Sequence, residues 1–244
     1  MSFSFSGTDD PITRIMTNFA NGWSGYAIVS WVKSNIINTD RGWFTASDSG
    51  NNDAVGGMRY DANGQVGLGT NVIKWGLTNL GVQKTVESSS SVQTTNLQFL
   101  VGQWDSTGTG GDVEIWIDGV KDILTATSNF TGTIDGATNN RLCIGKGGKD
   151  GLNESWNGDV YEVRIYNRSL TKAEIETMYA LRGADKNYFG LQAWWRGSGL
   201  VPGTTIPTTA GLIKDLSNSK FDLTADAANV VAATSPLRRS KVLV

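Results

Sequence analysis

The sequence predicts an all-β sandwich carrying one short helix, on three observations. Glycine is abundant, 30 in 244 residues, while Asp, Glu, Lys and Arg together make only 18%; that composition suits strands joined by many tight turns. Apolar and polar residues alternate in Val113-Glu114-Ile115-Trp116-Ile117-Asp118 and again in Tyr161-Glu162-Val163-Arg164-Ile165, so each stretch offers one apolar face, as a half-buried strand does. One stretch, Thr171 to Tyr179, carries helix signals.

Taken in order, Phe3 and Phe5 alternate with serines in a first strand, and Gly7-Thr8-Asp9-Asp10-Pro11 turns out of it. Tyr26 to Lys33 is apolar on both sides and reads as a central strand. Gly42 to Ala46 is another. Asp48 to Asp53 is rich in oxygen but lacks the spacing and the closing Glu of a calcium loop, so it reads as a solvated turn. Met58-Arg59-Tyr60 and Gln65 to Leu68 flank Asp61-Ala62-Asn63-Gly64, which predicts a hairpin with a four-residue connection. Glu87 to Thr95 reads as a mobile Ser/Thr-rich loop, Leu97 to Trp104 as a strand, and Asp118-Gly119 as the turn closing a hairpin. Arg141 to Gly145 is the next strand, followed by a loop from Lys146 to Ser155. Val160 to Tyr166 then leads into the helix. Thr171 and Glu174 form a capping box, Leu170 and Ile175 a hydrophobic staple, and Gly183 supplies a stop. Ile175, Met178 and Tyr179 fall on one helical face.

Gly158, Glu162-Val163-Arg164-Ile165-Tyr166-Asn167-Arg168, Leu170-Thr171 and Glu174-Ile175 together resemble the closing motif of the laminin-G-like, concanavalin A-like jelly rolls. Tyr161 departs from the Asp common at that place. Tyr26 to Lys33 and the Asp118-Gly119 hairpin are similar to other strands of the family. Near the C-terminus, Gly190-Leu191-Gln192-Ala193-Trp194-Trp195 and Asp215-Leu216-Ser217-Asn218 resemble the segments with which the family commonly opens. The resemblance implies a concanavalin A-like jelly-roll β-sandwich whose first strands stand at the C-terminus. On this reading residues 1–183 form the core, 184–236 complete the sandwich of their own or a neighbouring subunit, and 237–244 are a basic-apolar tail. Trp194, Trp195, Arg238, Arg239 and Lys241 are then candidate inter-subunit anchors. The segment is short for an independent core.

The chain has no histidine, which removes Ser-His and Cys-His nucleophiles and the commonest zinc ligand. The fold also hosts glucanases, but their E-x-D-x-x-E strand pattern is absent. Glu114 and Asp118 share one strand face at about 13 Å, wider than the roughly 5–9.5 Å that glycosidase carboxylates need. Gly145-Lys146-Gly147-Gly148-Lys149 lacks the spacing of a phosphate loop. Cys143, the single cysteine, sits in an apolar strand and cannot form an intrachain disulfide. The net charge of −2 gives no electrostatic case for nucleic acid. No apolar run reaches membrane-spanning length, and Met1 to Ser6 does not read as a signal peptide. Without secretion, the sequons at Asn129, Asn153 and Asn167 read as polar turns. No cofactor is expected; some relatives bind calcium, which no spacing here supports.

What survives is surface recognition. Nine tryptophans are many for one sandwich to hide. Trp116, beside Glu114 and Asp118, is expected to be partly exposed, and Trp43, Trp75 and Trp156 lie at strand or loop edges. Glu114, Trp116, Asp118 and Trp156 are the candidate glycan or partner contacts, since Trp stacks on sugar rings and anchors protein interfaces. Two non-enzymatic functions follow as expectations. One is a virion structural protein, a bacteriophage capsid decoration, cement or appendage subunit, assembled in the host cytoplasm and contacting other virion proteins as a homo-oligomer or lattice. The other is a carbohydrate-binding module recognising cell-surface glycans.

Overall fold

The computed structural model describes residues 2–8, 11–16, 18–48, 54–63, 69–79, 82–107, 112–122, 125–126, 132–134, 140–147, 154–197, 205–206, 213–225 and 230–233. These build two antiparallel eight-stranded sheets. The first runs β10 (Val120–Lys121), β9 (Asp112–Ile117), β8 (Leu97–Asp105), β3 (Gly25–Ser34), β13 (Asn157–Tyr166), β1 (Ser2–Ser6) and β16 (Val231–Ala233), with β14 (Leu191–Arg196) also paired to β13. The second runs β11 (Thr125–Ala126), β7 (Val82–Glu87), β6 (Val72–Asn79), β5 (Ala54–Asp61), β4 (Arg41–Asp48), β12 (Asn140–Ile144), β2 (Ile12–Met16) and β15 (Thr224–Ala225). Helix α1 (Lys172–Leu181) lies on the outer side of the first sheet.

Side-chain alternation divides the apolar residues into two layers. Between the sheets, Ile28 and Val32 of β3, Leu100 and Trp104 of β8, and Val163 and Ile165 of β13 meet Phe44, Met58, Trp75 and Leu77 from the second sheet. Trp43, Tyr60 and Trp156 pack edge to face here, with centroids 5.2–5.8 Å apart, the arrangement aromatic quadrupoles favour. Gly102 of β8 is glycine because the Trp75 indole occupies its side-chain space; a Cβ there would stand 2.1 Å from Trp75 Cδ1. On the other side of the first sheet, Ala27, Val29 and Trp31, with Phe99 and Val101, are covered by Ile175 and Met178 of α1. This second layer is why β3 is apolar on both faces. Eight of the nine tryptophans are buried, all but Trp23, which is itself packed against the core.

Strand β13 does not keep the simple alternation read from its sequence. Its pairing with β3 slips between Val160 and Glu162, a bulge that adds a residue to one strand and turns a side chain over. Val160 therefore joins Val163 and Ile165 in the inner core, while Tyr161 lies with Trp31 and Tyr166 in the outer layer. Gly158, just before the bulge, has φ +145°, and a Cβ there would come 2.1 Å from the Lys33 carbonyl oxygen. Two further expectations are corrected. The partner of β5 is β6, beginning at Val72, so the connection is longer than four residues; the stretch expected to pair, from Gln65 to Leu68, lies outside the described residues. The loop from Glu87 to Thr95 is tied down by Gln93. Its amide donates to the Asp61 and Val72 carbonyls at 3.0 and 3.2 Å and its oxygen accepts the Asn38 amide at 2.9 Å. Cys143 is buried in β12, between β2 and β4. The oxygen-rich stretch 49–53 lies outside the described residues.

Beyond α1 the chain returns to both sheets of its own subunit. β14 runs along the second half of β13, setting Trp195 opposite Val163 and Ala193 opposite Ile165. β15 pairs with β2 and β16 with β1. Asp215 organises the return: its carboxylate accepts the amides of Trp194, Ser217 and Phe221, each at 2.8 Å, and the Ser217 hydroxyl at 2.7 Å. Trp195 is buried among the inner-core residues and donates from Nε1 to the Phe221 carbonyl at 2.7 Å. Trp194, expected as an inter-subunit anchor with Trp195, is buried at 6% exposure under the Arg164 guanidinium, 4.4 Å from its ring. Both tryptophans therefore fasten the segment to its own sheets. Arg238, Arg239 and Lys241 lie outside the described residues.

Glu162 and Arg164, whose alternation reads as a solvated strand face, are instead enclosed by this return. Arg164 is 1% exposed and donates to Glu162 at 2.5 Å and to both Asp185 oxygens at 2.5 and 3.0 Å. Burial works against its charge, but Glu162 and Asp185 outweigh that and raise its pKa further. Removing one partner of such a group strands the others without water. Arg164→Met is expected to cost about 3–5 kcal/mol, measured by chemical denaturation. A chain ending at Phe189 loses β14 and Trp195, and loss of one such Trp costs about 3–5 kcal/mol against a typical total of 5–15. That truncation is expected to aggregate or to lose its cooperative transition; a soluble product with a sharp transition would contradict the arrangement above.

Candidate functional site

The site is built by α1 and the strand ends beneath it. Thr171 caps the helix, accepting the Glu174 amide at 3.3 Å, while Glu174 Oε2 accepts the Thr171 amide at 2.8 Å. Arg168 holds Glu174 through two bonds of 2.9 and 2.5 Å and donates to the Phe189 carbonyl at 3.0 Å. Leu170 and Ile175, the staple pair, are both buried in the outer apolar layer. The helix closes at Arg182, left-handed at φ 47°, whose amide returns to the Tyr179 carbonyl at 3.2 Å. Tyr179 differs from the sequence reading: Ile175 and Met178 are buried, but Tyr179 is 37% exposed. Its ring lies stacked on Trp31 with centroids 5.9 Å apart and planes 14° from parallel.

Beside that stack opens a cleft of about 480 Å³ whose floor includes Trp31, Leu97 and Tyr161. Lys33, Thr95, Asn96, Asp118, Tyr179 and Arg182 line the rest. Asp118 and Gly119, at φ 53° and 82°, make the tight turn between β9 and β10 that brings Asp118 here. Its Oδ1 accepts the Phe99 amide at 2.9 Å. Burial raises the Asp118 carboxyl above its ordinary value, against the pull of that bond. The Tyr161 hydroxyl donates to Asp159 at 3.1 Å, and burial raises its pKa, so it stays protonated at neutral pH. Aromatic surface thus meets hydroxyl, amide, carboxylate and two cationic groups within one recess.

Of the residues singled out from sequence, Asp118 alone lines this cleft. Glu114 is spoken for by Gln103 at 2.8 Å, Trp116 at 2.9 Å and Lys121 at 2.6 Å. Burial pushes its carboxyl up, but those bonds prevail and hold it below the usual carboxylate value. Trp116, expected to be partly exposed, is 6% exposed within the outer layer that α1 covers. Trp156 is fully buried between the sheets, as are Trp43 and Trp75. Neither Trp116 nor Trp156 offers a ring face to a ligand. Trp31, Lys33, Asn96, Tyr161, Tyr179 and Arg182 were missed because they come from separate strands, a loop and a helix end. Only Tyr179, next to the helix stop, sat where the sequence pattern hinted at a boundary.

A second polar cluster lies on the second sheet. Arg59, Lys74 and Glu87 stand opposite one another across β5, β6 and β7. Asp61 accepts from Arg59 at 2.9 Å and pairs with Lys74 at 3.8 Å, and Glu154 pairs with Arg59. Burial and then Arg59 lower the Lys74 pKa, while Glu154 and Asp61 overcome burial to raise that of Arg59. Mutual pairing is what makes so much buried charge tolerable. Among the described residues no group of three or more Asp, Glu or Cys is arranged to hold a metal ion.

A family model described as the Concanavalin A-like lectin/glucanases superfamily, of laminin G type, matches residues 6–176. No curated protein sequence matches the chain. Among solved structures, a Bacteroides ovatus protein provisionally described as carbohydrate binding is similar at TM-score 0.68 and 16% identity, over 97% of this chain and 61% of that one. This chain therefore spans less than two thirds of that relative. The heptameric SAP-like pentraxin of Limulus polyphemus is similar at TM-score 0.54 and 16% identity, over 75% and 82% of the two chains. The CBM40 of Ruminococcus gnavus IT-sialidase, bound to alpha2,3 sialyllactose, is similar at TM-score 0.53 and 12% identity, over 73% and 96%. Likeness at these identities is likeness of fold.

The capping box gives the helix a pH dependence. Arg168, ahead of the opposing effect of burial, holds the Glu174 carboxyl down at about 2, against an ordinary value of about 4.3. Since the folded value is the lower one, the stabilisation is fully present above pH ~4.3 and is lost as pH falls toward about 2. Glu174→Gln is expected to cost about 1 kcal/mol at neutral pH. Its deficit against wild type, followed by thermal melts, should shrink steadily below pH ~4.

Proposed function

The chain belongs to the Concanavalin A-like lectin/glucanases superfamily, and we propose that it acts as a non-catalytic carbohydrate-binding module which seats a sugar in the cleft beside α1. The observation that carries this reading is the partly exposed Tyr179, its ring held in place by stacking on Trp31 at a recess lined with hydrogen-bonding groups. A pyranose presents C–H groups on its flat face and hydroxyls around its rim. An aromatic platform takes the first, while Asn96, Thr95, Asp118 and Lys33 are placed to take the second. The platform is already ordered, so little side-chain freedom is lost on binding. The sugar-bound Ruminococcus gnavus domain and the Bacteroides ovatus protein are relatives in fold that support the same reading.

Catalysis is disfavoured by chemistry. Glycoside hydrolysis calls for two facing carboxyl groups, and among the described residues that line the cleft Asp118 is the only acid. The virion reading drew on a strand donated to a neighbouring subunit. Here β14, β15 and β16 pair within their own chain, so closing the sheets needs no neighbour.

Calorimetric titration against glycans selected on an array tests the proposal. Tyr179→Ala is expected to weaken the best ligand at least tenfold, about 1.4 kcal/mol, with an unchanged circular dichroism spectrum, and Tyr179→Phe to retain most of the affinity. Absence of binding to any glycan, or indifference to Tyr179→Ala, overturns it.

A further inference from the structure

We infer that the cleft selects an anionic sugar, one carrying a carboxylate or sulfate, and that Lys33 and Arg182 are the residues that recognise the charge. This rests on the carbohydrate reading above and narrows it to a ligand class.

The charged groups lining the recess are Lys33, Arg182 and Asp118. Lys33 lies near the end of β3 and Arg182 caps the C-terminus of α1, so the two cations come from different elements. Both are exposed, and neither makes an ion pair among the described residues. Arg59, Arg164, Arg168 and Arg196, by contrast, are all committed to carboxylates. Asp118 carries the opposite sign, and its Oδ1 accepts the Phe99 amide at 2.9 Å. Asp159 stands opposite Lys33 in the β13–β3 register and accepts the Tyr161 hydroxyl. The C-terminus of α1 adds partial negative charge, yet its Tyr179 and Leu181 carbonyls are already bonded by the amides of Arg182 and Ala184. Among the described residues the lining therefore holds two cations without an ion pair against one carboxylate.

Placement adds to sign. A sugar stacked on Tyr179 would sit within a lining that includes Leu97 and Tyr161, where water is partly displaced and charge-assisted hydrogen bonds gain strength. A neutral sugar would meet these cations only as hydrogen-bond donors to its hydroxyls, without a charge to pair. An anionic substituent on the same ring meets one or both.

The test is titration of the whole chain with three probes that share a lactose core: lactose, sulfated lactose and alpha2,3 sialyllactose, at low and high salt. Lys33→Met and Arg182→Asn are the variants, the second chosen because Asn tolerates the left-handed backbone at that position. Thermal melts establish that each is folded. Expected are binding of one or both acidic probes at least tenfold tighter than lactose, a loss of that margin at high salt, and a fall of roughly tenfold in each variant toward the lactose affinity. A preference for sialyllactose alone, or for the sulfated sugar alone, supports the inference and fixes the acid. Equal binding of all three probes, abolished together by Tyr179→Ala, overturns charge selection and leaves the carbohydrate reading intact. Acidic preference unchanged in both variants overturns the assignment to Lys33 and Arg182. Binding of no probe and of no arrayed glycan overturns the carbohydrate reading itself.

Discussion

Strand β13 hydrogen-bonds to three others because its ten residues are long enough to divide one edge. Its whole length takes β3 on one side; on the other, the first half takes β1 and the second half takes β14. The N-terminal strand and the C-terminal return thus lie end to end along the same edge. An unfilled half would leave a row of unpaired amides and carbonyls open to another chain. The bulge after Val160 is the local adjustment that lets one strand serve both layers, sending Val163 and Ile165 inward and Tyr161 outward.

The outer layer explains much that is unusual in the charge distribution. A sheet with one solvated face would leave Glu162 and Arg164 in water, where an ion pair is worth little. Covered by the return and by α1, the same residues must satisfy each other, and Asp185, Arg196 and Trp194 complete the set. Such a cluster is poor evidence of added stability, since its desolvation offsets most of its attraction. Its effect is on specificity: the segment after α1 has one place where its Asp185 and Trp194 can sit. Arg168 does the same for the helix, gripping Glu174 and the Phe189 carbonyl together.

Much of the fold was legible because its signals are local. Apolar runs mark β3 and β8, period-two alternation marks β9 and the second half of β13, and Thr171-x-x-Glu174 marks the start of α1 to the residue. Strand β6 carries an equally clear alternation, Ile73, Trp75 and Leu77 against Lys74 and Gly76, but the turn signal at Asp61 to Gly64 points to a nearer partner for β5. Strand β2 was hidden by its Pro-led start and by half-buried Arg14 and exposed Ile15, which interrupt its apolar pattern. The cleft was not legible at all. Its residues are spread from Trp31 to Arg182, and what unites them is the docking of α1 across β3 and β8. Surface tryptophan was the wrong guide, since a sandwich with cover on both sides of one sheet can bury nearly all of them.

Cys143 sits in the middle of the second sheet, with Thr13 across from it on β2 and Thr45 on β4. No alkylating reagent can reach its sulfur while those three strands stay zipped together. The molecule therefore carries its own sentinel: one thiol, silent in the native state, whose modification rate clocks how often that half of the sandwich breathes open.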